Sequence, residues 1–64
     1  MKKIITKLEQ LSAVLEAAVL DREETFDNRS EKWQESEKGE EHQELTDRLR
    51  EMYDEVTDWI DELT

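Results

Sequence analysis

Apolar residues in the last third of the chain recur at alternating intervals of four and three positions. They are Leu45, Leu49, Met52, Val56, Trp59 and Leu63. This heptad spacing places all of them on one face of an α-helix, and Ile60 widens that face. The pattern predicts a helix over about residues 40–63.

The N-terminal part of the chain shows a matching apolar pattern. Its members are Ile4, Leu8, Leu11, Leu15 and Ala18, and Arg22, Phe26, Arg29 and Trp33 continue the same face. Ile5, Val14 and Val19 widen it, so the first half of this helix is apolar over much of its circumference. A helix that is apolar on more than one side packs against more than one neighbour. The pattern predicts a first helix over about residues 2–35.

Two places in the middle of the chain allow alternative helix boundaries. Residues 27–30 either kink the first helix or break it, and in the second case Ser30 is an N-cap. Gly39 either ends the first helix in a left-handed conformation or lies in the first turn of a second helix capped by Ser36. Each alternative gives the same fold class, an all-α antiparallel helical hairpin that forms one domain over residues 1–64.

Folding the chain at Gly39 pairs Val19 with Trp59 and Leu15 with Leu63, and leaves residues 1–14 as an apolar overhang of roughly 20 Å. A two-helix chain of this size is marginal as a monomer. We therefore expect a homodimer that forms a four-helix bundle, or insertion of the overhang into the groove of another protein. The residues predicted to mediate self-association are Ile4, Ile5, Leu8, Leu11, Val14 and Leu15.

The charge is strongly acidic and unevenly distributed. The chain carries a net charge of −10, with 19 acidic and nine basic residues. Acidity of this extent argues against direct binding to nucleic acid or to an anionic membrane, and favours a basic protein surface as the partner. Lys7 and Glu9 interrupt what a signal peptide would need as its apolar region, and no apolar run approaches the roughly 20 residues of a membrane span. We predict a cytoplasmic protein.

Seven acidic residues of the second helix form a row that we call the acid stripe. They are Glu40, Glu44, Asp47, Glu51, Asp54, Asp58 and Asp61. Their intervals of four and three place them on one side of the helix, about 150° from the apolar face. The stripe is either a docking surface for a basic groove or a solvated face that keeps the protein soluble. Its spacing of about one charge per 5 Å is too sparse to imitate a DNA duplex, which carries one per about 1.7 Å.

Catalysis is not expected from these residues. Acidic pairs such as Glu51 and Asp54 have a spacing used for magnesium, but a chain this acidic produces such pairs by chance. The spacing Glu-x-x-His fails because Gly39 precedes the single histidine, His42, by three positions. There is no cysteine and no glycine-rich phosphate loop. The sequence therefore predicts a protein that is not an enzyme, with no metal and no cofactor.

Some individual residues allow two interpretations. Arg22 and Arg29 interrupt the apolar face, and either form a polar layer that sets the register or lie at its edge with their stems over apolar surface. The edge position is favoured because buried charges need close partners. Trp59 is expected in the core, and Tyr53 is expected to be the exposed aromatic residue.

Residues 30–41 have the sequence Ser-Glu-Lys-Trp-Gln-Glu-Ser-Glu-Lys-Gly-Glu-Glu. This stretch resembles part of the short uncharacterised acidic helical proteins of bacteriophages and prophages, and it covers about a fifth of the chain. The resemblance implies expression in a bacterial host cytoplasm. It further implies a non-enzymatic protein–protein interaction module that binds and modulates or inhibits a host protein through its acidic surface. The alternative function is a structural or assembly module that acts only by homodimerisation.

Overall fold

The computed structural model describes all 64 residues and contains three helices and no strand. They are α1 (Lys2–Asp27), α2 (Glu31–Gln34) and α3 (Glu37–Leu63). The two long helices pack antiparallel, since Leu11 lies beside Trp59 near one end and Arg22 bonds to Thr46 near the other. The predicted all-α pair of long helices is confirmed, and the molecule measures 47 × 15 × 12 Å.

The prediction of one continuous helix over residues 2–35 is wrong, because α1 ends at Asp27. Ser30 has an extended backbone, and its hydroxyl oxygen accepts a hydrogen bond of 3.2 Å from the amide of Trp33, which starts α2. The side-chain amide of Gln34 donates to the carbonyl oxygens of Phe26 and Arg29, at 2.8 and 3.2 Å. These bonds satisfy carbonyl groups that the end of a helix leaves without partners. The alternative with Ser30 as an N-cap is the one found.

The start of α3 shows which of the two predicted roles Gly39 has. Ser36 is its N-cap and accepts a hydrogen bond of 3.3 Å from the amide of Gly39, which lies within the first turn. Gly39 has no positive φ, so its role is not conformational. A Cβ at this position would overlap the carbonyl oxygens of Trp33 and Gln34. Glycine is therefore needed because the two chain segments approach each other closely.

The faces that α1 and α3 turn toward each other keep about half of the predicted residues and replace each of the others by the next residue along the chain. On α1 the contact face is Ile5, Leu8, Ser12, Leu15, Val19, Arg22 and Phe26. On α3 it is Gly39, His42, Thr46, Leu49, Tyr53, Val56, Ile60 and Leu63. The prediction assigned some residues to the wrong face because apolar residues occupy two adjacent sides of each helix. In a pair of helices, each helix covers only one of the two apolar sides of its partner. The resulting core is small, with Leu15, Val19 and Val56 as its buried apolar residues.

The register of the hairpin also differs from the predicted one. Leu11 and Leu15 lie beside Trp59 and Val56, so α3 reaches further along α1 than expected. The connection between the long helices includes α2, and this moves the midpoint of the hairpin to a position before Gly39. In this register only about the first turn of α1 extends past α3, which is a shorter overhang than the predicted residues 1–14.

Candidate interaction surfaces

A polar contact fixes the two long helices to each other near the turn. The guanidinium of Arg22 donates from Nε to the hydroxyl oxygen of Thr46 at 3.0 Å and from Nη2 to the carbonyl oxygen of His42 at 3.2 Å. Thr46 is completely buried. Arg22 therefore belongs to a polar layer between the helices rather than to the edge position favoured from the sequence. Arg29 is exposed, with its guanidinium carbon 4.4 Å from the ring centre of Trp33.

Three rings close the turn end of the hairpin. The ring centres of Phe26, Trp33 and His42 lie 5.7–6.0 Å apart, with Phe26 and His42 stacked and Trp33 edge-on to both. His42 Nε2 is 2.9 Å from the carbonyl oxygen of Arg22, and Nδ1 is 3.3 Å from Arg22 Nη2. A carbonyl oxygen can only accept, so Nε2 carries the proton and Nδ1 accepts. Both ring nitrogens of His42 are used in holding the helices together, which leaves none for a ligand.

The acid stripe lies on the exposed surface of α3 along its full length. All seven of its carboxylate residues are exposed. The guanidinium of Arg50 contacts Asp47, with 3.4 Å between Nη1 and Oδ1, and also pairs with Glu23 of α1. The other six members of the stripe form no ion pair within the chain. They make a row of uncompensated negative charge that is roughly 30 Å long.

A second surface, which we call the apolar strip, runs along one long side of the hairpin. Its members are Ile4, Leu11 and Ala18 on α1, and Leu45, Met52 and Trp59 on α3. Intervals of seven residues keep each set on one side of its helix. The five large side chains are 44% to 54% exposed. Leu11, Met52 and Trp59 line the same shallow cavity of about 170 Å³, so both helices contribute to one continuous apolar side.

The opposite long side of the hairpin has a different chemistry. A cavity of about 240 Å³ on this side is lined by Glu16, Val19, Leu20, Arg50, Tyr53 and Asp54. Leu20 is an exposed leucine here, but it stands among charged groups rather than in a row of apolar residues. The two broad sides of the molecule are therefore distinct, one apolar and the other predominantly acidic.

The residues predicted for self-association do not share one environment. Leu15 is buried within the hairpin, Ile5 and Leu8 are half-buried against α3, and Ile4, Leu11 and Val14 are exposed. Sequence reasoning missed the exposure of the α3 members of the apolar strip, because it assigned them to the contact with α1. The spacing of seven residues between these members was the signal in the sequence that could have indicated a second apolar side of α3.

The aromatic residues of α3 exchange their expected positions. Trp59 is 47% exposed on the apolar strip, whereas Tyr53 is half-buried against α1. Tyr53 lies on the contact face, whereas Met52, one position before it, lies on the exposed apolar strip with Trp59. A step of one residue along the helix is therefore enough to move a side chain from the strip to the contact with α1. The prediction that Tyr53 is the exposed aromatic residue and Trp59 a core residue is therefore wrong.

The structure brings no three His, Asp or Glu side chains close enough to hold a metal ion. None of its helices combines the length and the apolar character that crossing a bilayer requires. No protein-family model matches this sequence, and neither a curated protein nor a solved structure is significantly similar to it. The class of the molecule is accordingly defined by its own geometry, which is that of a helical hairpin with one apolar and one acidic side.

Proposed function

We propose that this chain is a non-enzymatic protein–protein interaction module with two working surfaces. The apolar strip pairs with a second copy of the chain to form a four-helix bundle, and the acid stripe binds a basic surface on another protein. The observation that carries this proposal is the separation of the exposed apolar and acidic residues onto different sides of the hairpin. Covering the apolar strip leaves the acid stripe free.

Self-association is supported by the small core and by the size of the exposed apolar strip. Fully burying one large apolar side chain contributes about 1.5–3 kcal/mol. The exposed halves of five such side chains in each copy then contribute on the order of 10 kcal/mol to a dimer. The loss of translational and rotational freedom on association costs about 4–15 kcal/mol. The two magnitudes are comparable, so the precise fit of the strip decides the affinity.

The acid stripe supports a basic protein as the second partner. Its neighbours at three and four positions repel one another by about 0.2–0.5 kcal/mol per pair. A basic groove relieves this repulsion, and the attraction increases the rate of association at low salt. Following the resemblance of residues 30–41, we propose that the partner is a bacterial host protein in the cytoplasm, which this chain modulates or inhibits. Repulsion from phosphate makes nucleic acid an unsuitable direct ligand.

The second candidate function is a structural module that acts only by homodimerisation. The apolar strip favours it, because self-association requires no other protein. On this hypothesis the acid stripe only keeps the bundle soluble. Both proposed functions include the dimer. They differ in whether the acid stripe binds another protein.

Sedimentation equilibrium tests the apolar strip. We expect the protein to be a dimer at micromolar concentration, and the double variant Leu11→Glu/Met52→Glu to be a monomer that keeps its helicity. About half of each side chain is exposed within one hairpin, so we expect the two glutamates to reach solvent and the buried residues to stay in place. Leu20→Glu is the matched control, since this leucine is 58% exposed on the opposite side and its replacement leaves the dimer unchanged. A folded monomer of the unmodified chain contradicts the proposal.

Capture from a bacterial lysate at low and at high salt tests the acid stripe. A basic host protein recovered in stoichiometric amount at low salt, and lost from the variant Asp54→Asn/Asp58→Asn, supports the binding function. The control Glu9→Gln/Glu16→Gln removes the same charge from α1 and retains the partner. Recovery of the chain alone under both conditions favours the assembly module instead.

A further inference from the structure

We infer that the two copies pair in parallel, with both turns at the same end of the four-helix bundle. The symmetry axis then runs along the helices, and α1 of each copy lies against α3 of the other. This inference rests on the proposed self-association through the apolar strip and adds to it the orientation of the partner. The charged residues beside the strip carry the argument.

A row of residues borders the apolar strip on each helix, and we call it the rim. Each rim residue follows a strip residue by three positions and therefore lies next to it, further from the hairpin's own contact face. The rim consists of Lys7, Val14 and Asp21 on α1, and of Arg48, Glu55 and Glu62 on α3. All six are exposed, and Glu55 lines the same cavity as Leu11 and Trp59. The rim residues thus flank any helix that covers the strip.

A symmetry axis along the helices determines which rim residues meet. Such an axis keeps every residue at its own height, so α1 meets α3 of the second copy in the register of its own hairpin. That register places Leu11 level with Trp59. Lys7 lies four positions before Leu11 on α1, and Glu62 lies three positions after Trp59 on α3. Because α1 and α3 run in opposite directions, Lys7 is level with Glu62 of the second copy. By the same offset, Asp21 is level with Arg48 of the second copy.

The parallel arrangement therefore gives only favourable or neutral rim contacts. The pairs of Lys7 with Glu62 and of Asp21 with Arg48 each occur twice, once for each copy. The third pair brings the apolar Val14 level with Glu55, so no two like charges meet. Exposed ion pairs contribute little to affinity, but like charges in register disfavour a competing arrangement. The rim accordingly selects the orientation, while the apolar strip provides the attraction.

The antiparallel arrangement also forms attractive rim pairs, but like charges meet in it on α3. It places α1 against α1 and α3 against α3 of the second copy, and the exposed Glu41, one heptad before Arg48, then extends the charged row of α3 beyond the rim. The register that aligns Arg48 with Glu55 also aligns Glu41 with Glu62. A shift by one heptad pairs Lys7 with Asp21 and Arg48 with Glu62 but brings Glu55 against Glu55, and a shift the other way brings Arg48 against Arg48. Every register that overlaps most of the strip contains a like-charge pair.

The area available agrees with a second copy as the occupant. A long face of 47 by 15 Å has an area of roughly 700 Å², and stable interfaces bury about 600–1,000 Å² on each partner. The strip and its rim extend along this face from Ile4 to Leu45. A pairing of whole faces is therefore large enough for a specific dimer.

Charge reversal tests the rim pairs. We expect Asp21→Arg and Arg48→Asp each to weaken the dimer on the order of tenfold, because each substitution converts two attractive pairs into repulsive ones. The double variant Asp21→Arg/Arg48→Asp recreates both pairs and restores the dissociation constant. Glu16→Arg, with the same change of charge on the opposite side, leaves the dissociation constant unchanged. If the double variant dimerises as weakly as the effects of the two single substitutions added together, the inference is overturned.

The orientation itself is measured with a spin label at the turn. The chain contains no cysteine, so Lys38→Cys provides a single attachment site in each copy. We expect a distance of roughly 25 Å or less between the labels of a parallel dimer, given helix diameters of about 10–12 Å. A dimer with labels roughly 40 Å or more apart, close to the 47 Å length of the molecule, overturns the parallel arrangement and leaves the proposed self-association standing. A monomer overturns both.

Discussion

Arg22 of α1 donates a hydrogen bond of 3.0 Å from Nε to the hydroxyl oxygen of Thr46 on α3. Thr46 in turn donates to the carbonyl oxygen of His42 at 3.0 Å. Thr46 is completely buried, and no buried side-chain polar atom in the structure lacks a hydrogen-bond partner. A hydrogen bond of this kind defines the register of the two helices more sharply than apolar contacts do, because its geometry tolerates no shift of one helical turn.

Thr46→Val keeps the shape of this side chain and removes its hydroxyl group. The variant leaves the Nε group of Arg22 without its acceptor, and we expect a loss of about 1–3 kcal/mol in the free energy of unfolding. Urea unfolding at fixed protein concentration measures it. Thr57→Val is the matched control, since the Thr57 hydroxyl donates only to the Asp54 carbonyl of its own helix. Equal stability of the two variants would show that the contact with Arg22 contributes nothing.

Gly39→Ala reverses the usual effect of this substitution in a helix. Alanine in a helix interior is normally more stable than glycine by about 1 kcal/mol. Here the added Cβ would lie 2.7 Å from the carbonyl carbon of Gln34, and the hydrogen bond to the Ser36 cap holds Gly39 beside that backbone. We expect a lower melting temperature by circular dichroism. Glu40→Ala, the next residue on the exposed side, serves as the control, and a stabilised Gly39→Ala protein would refute the close approach.

Ser36→Ala removes the N-cap of α3 and also the hydrogen bond from the Ser36 hydroxyl to the carbonyl oxygen of Trp33. An N-cap substitution of this kind costs about 1 kcal/mol. Ser12→Ala provides the comparison, because the Ser12 hydroxyl donates only to the Glu9 carbonyl within α1. Chemical denaturation of both variants should place Ser36→Ala clearly below Ser12→Ala in stability. The reverse order would mean that the turn is not held by this cap.

The acid stripe makes stability depend on salt. Repulsion between exposed carboxylates is screened over a Debye length of about 8 Å at physiological ionic strength. We expect the melting temperature to rise between low and moderate sodium chloride concentration. The variant Asp54→Asn/Asp58→Asn should show a smaller rise, since it carries less repulsion along the stripe. A melting temperature that falls or stays constant for the unmodified protein contradicts a repulsive stripe.

The helical class and the approximate extent of the second helix were predictable from the heptad spacing, because that spacing depends only on local geometry. The sequence leaves the break at Asn28 undecided, because the break is supported by the side chain of Gln34, which lies eight positions after Phe26. The register of the two long helices was not predictable, because it depends on how many residues the connection with α2 takes up. The distinction between Trp59 and Tyr53 required knowledge of which of two adjacent apolar sides faces α1.

The positions of the two tryptophans give this protein built-in optical reporters. Trp33 lies in the ring cluster at the turn, and Trp59 lies on the apolar strip near the far end of α3. The emission of Trp59 should respond to whatever covers the strip, whereas that of Trp33 follows the integrity of the turn. Replacing either indole with phenylalanine would isolate the other, so that loss of the bundle and loss of the fold become separately visible without any attached dye.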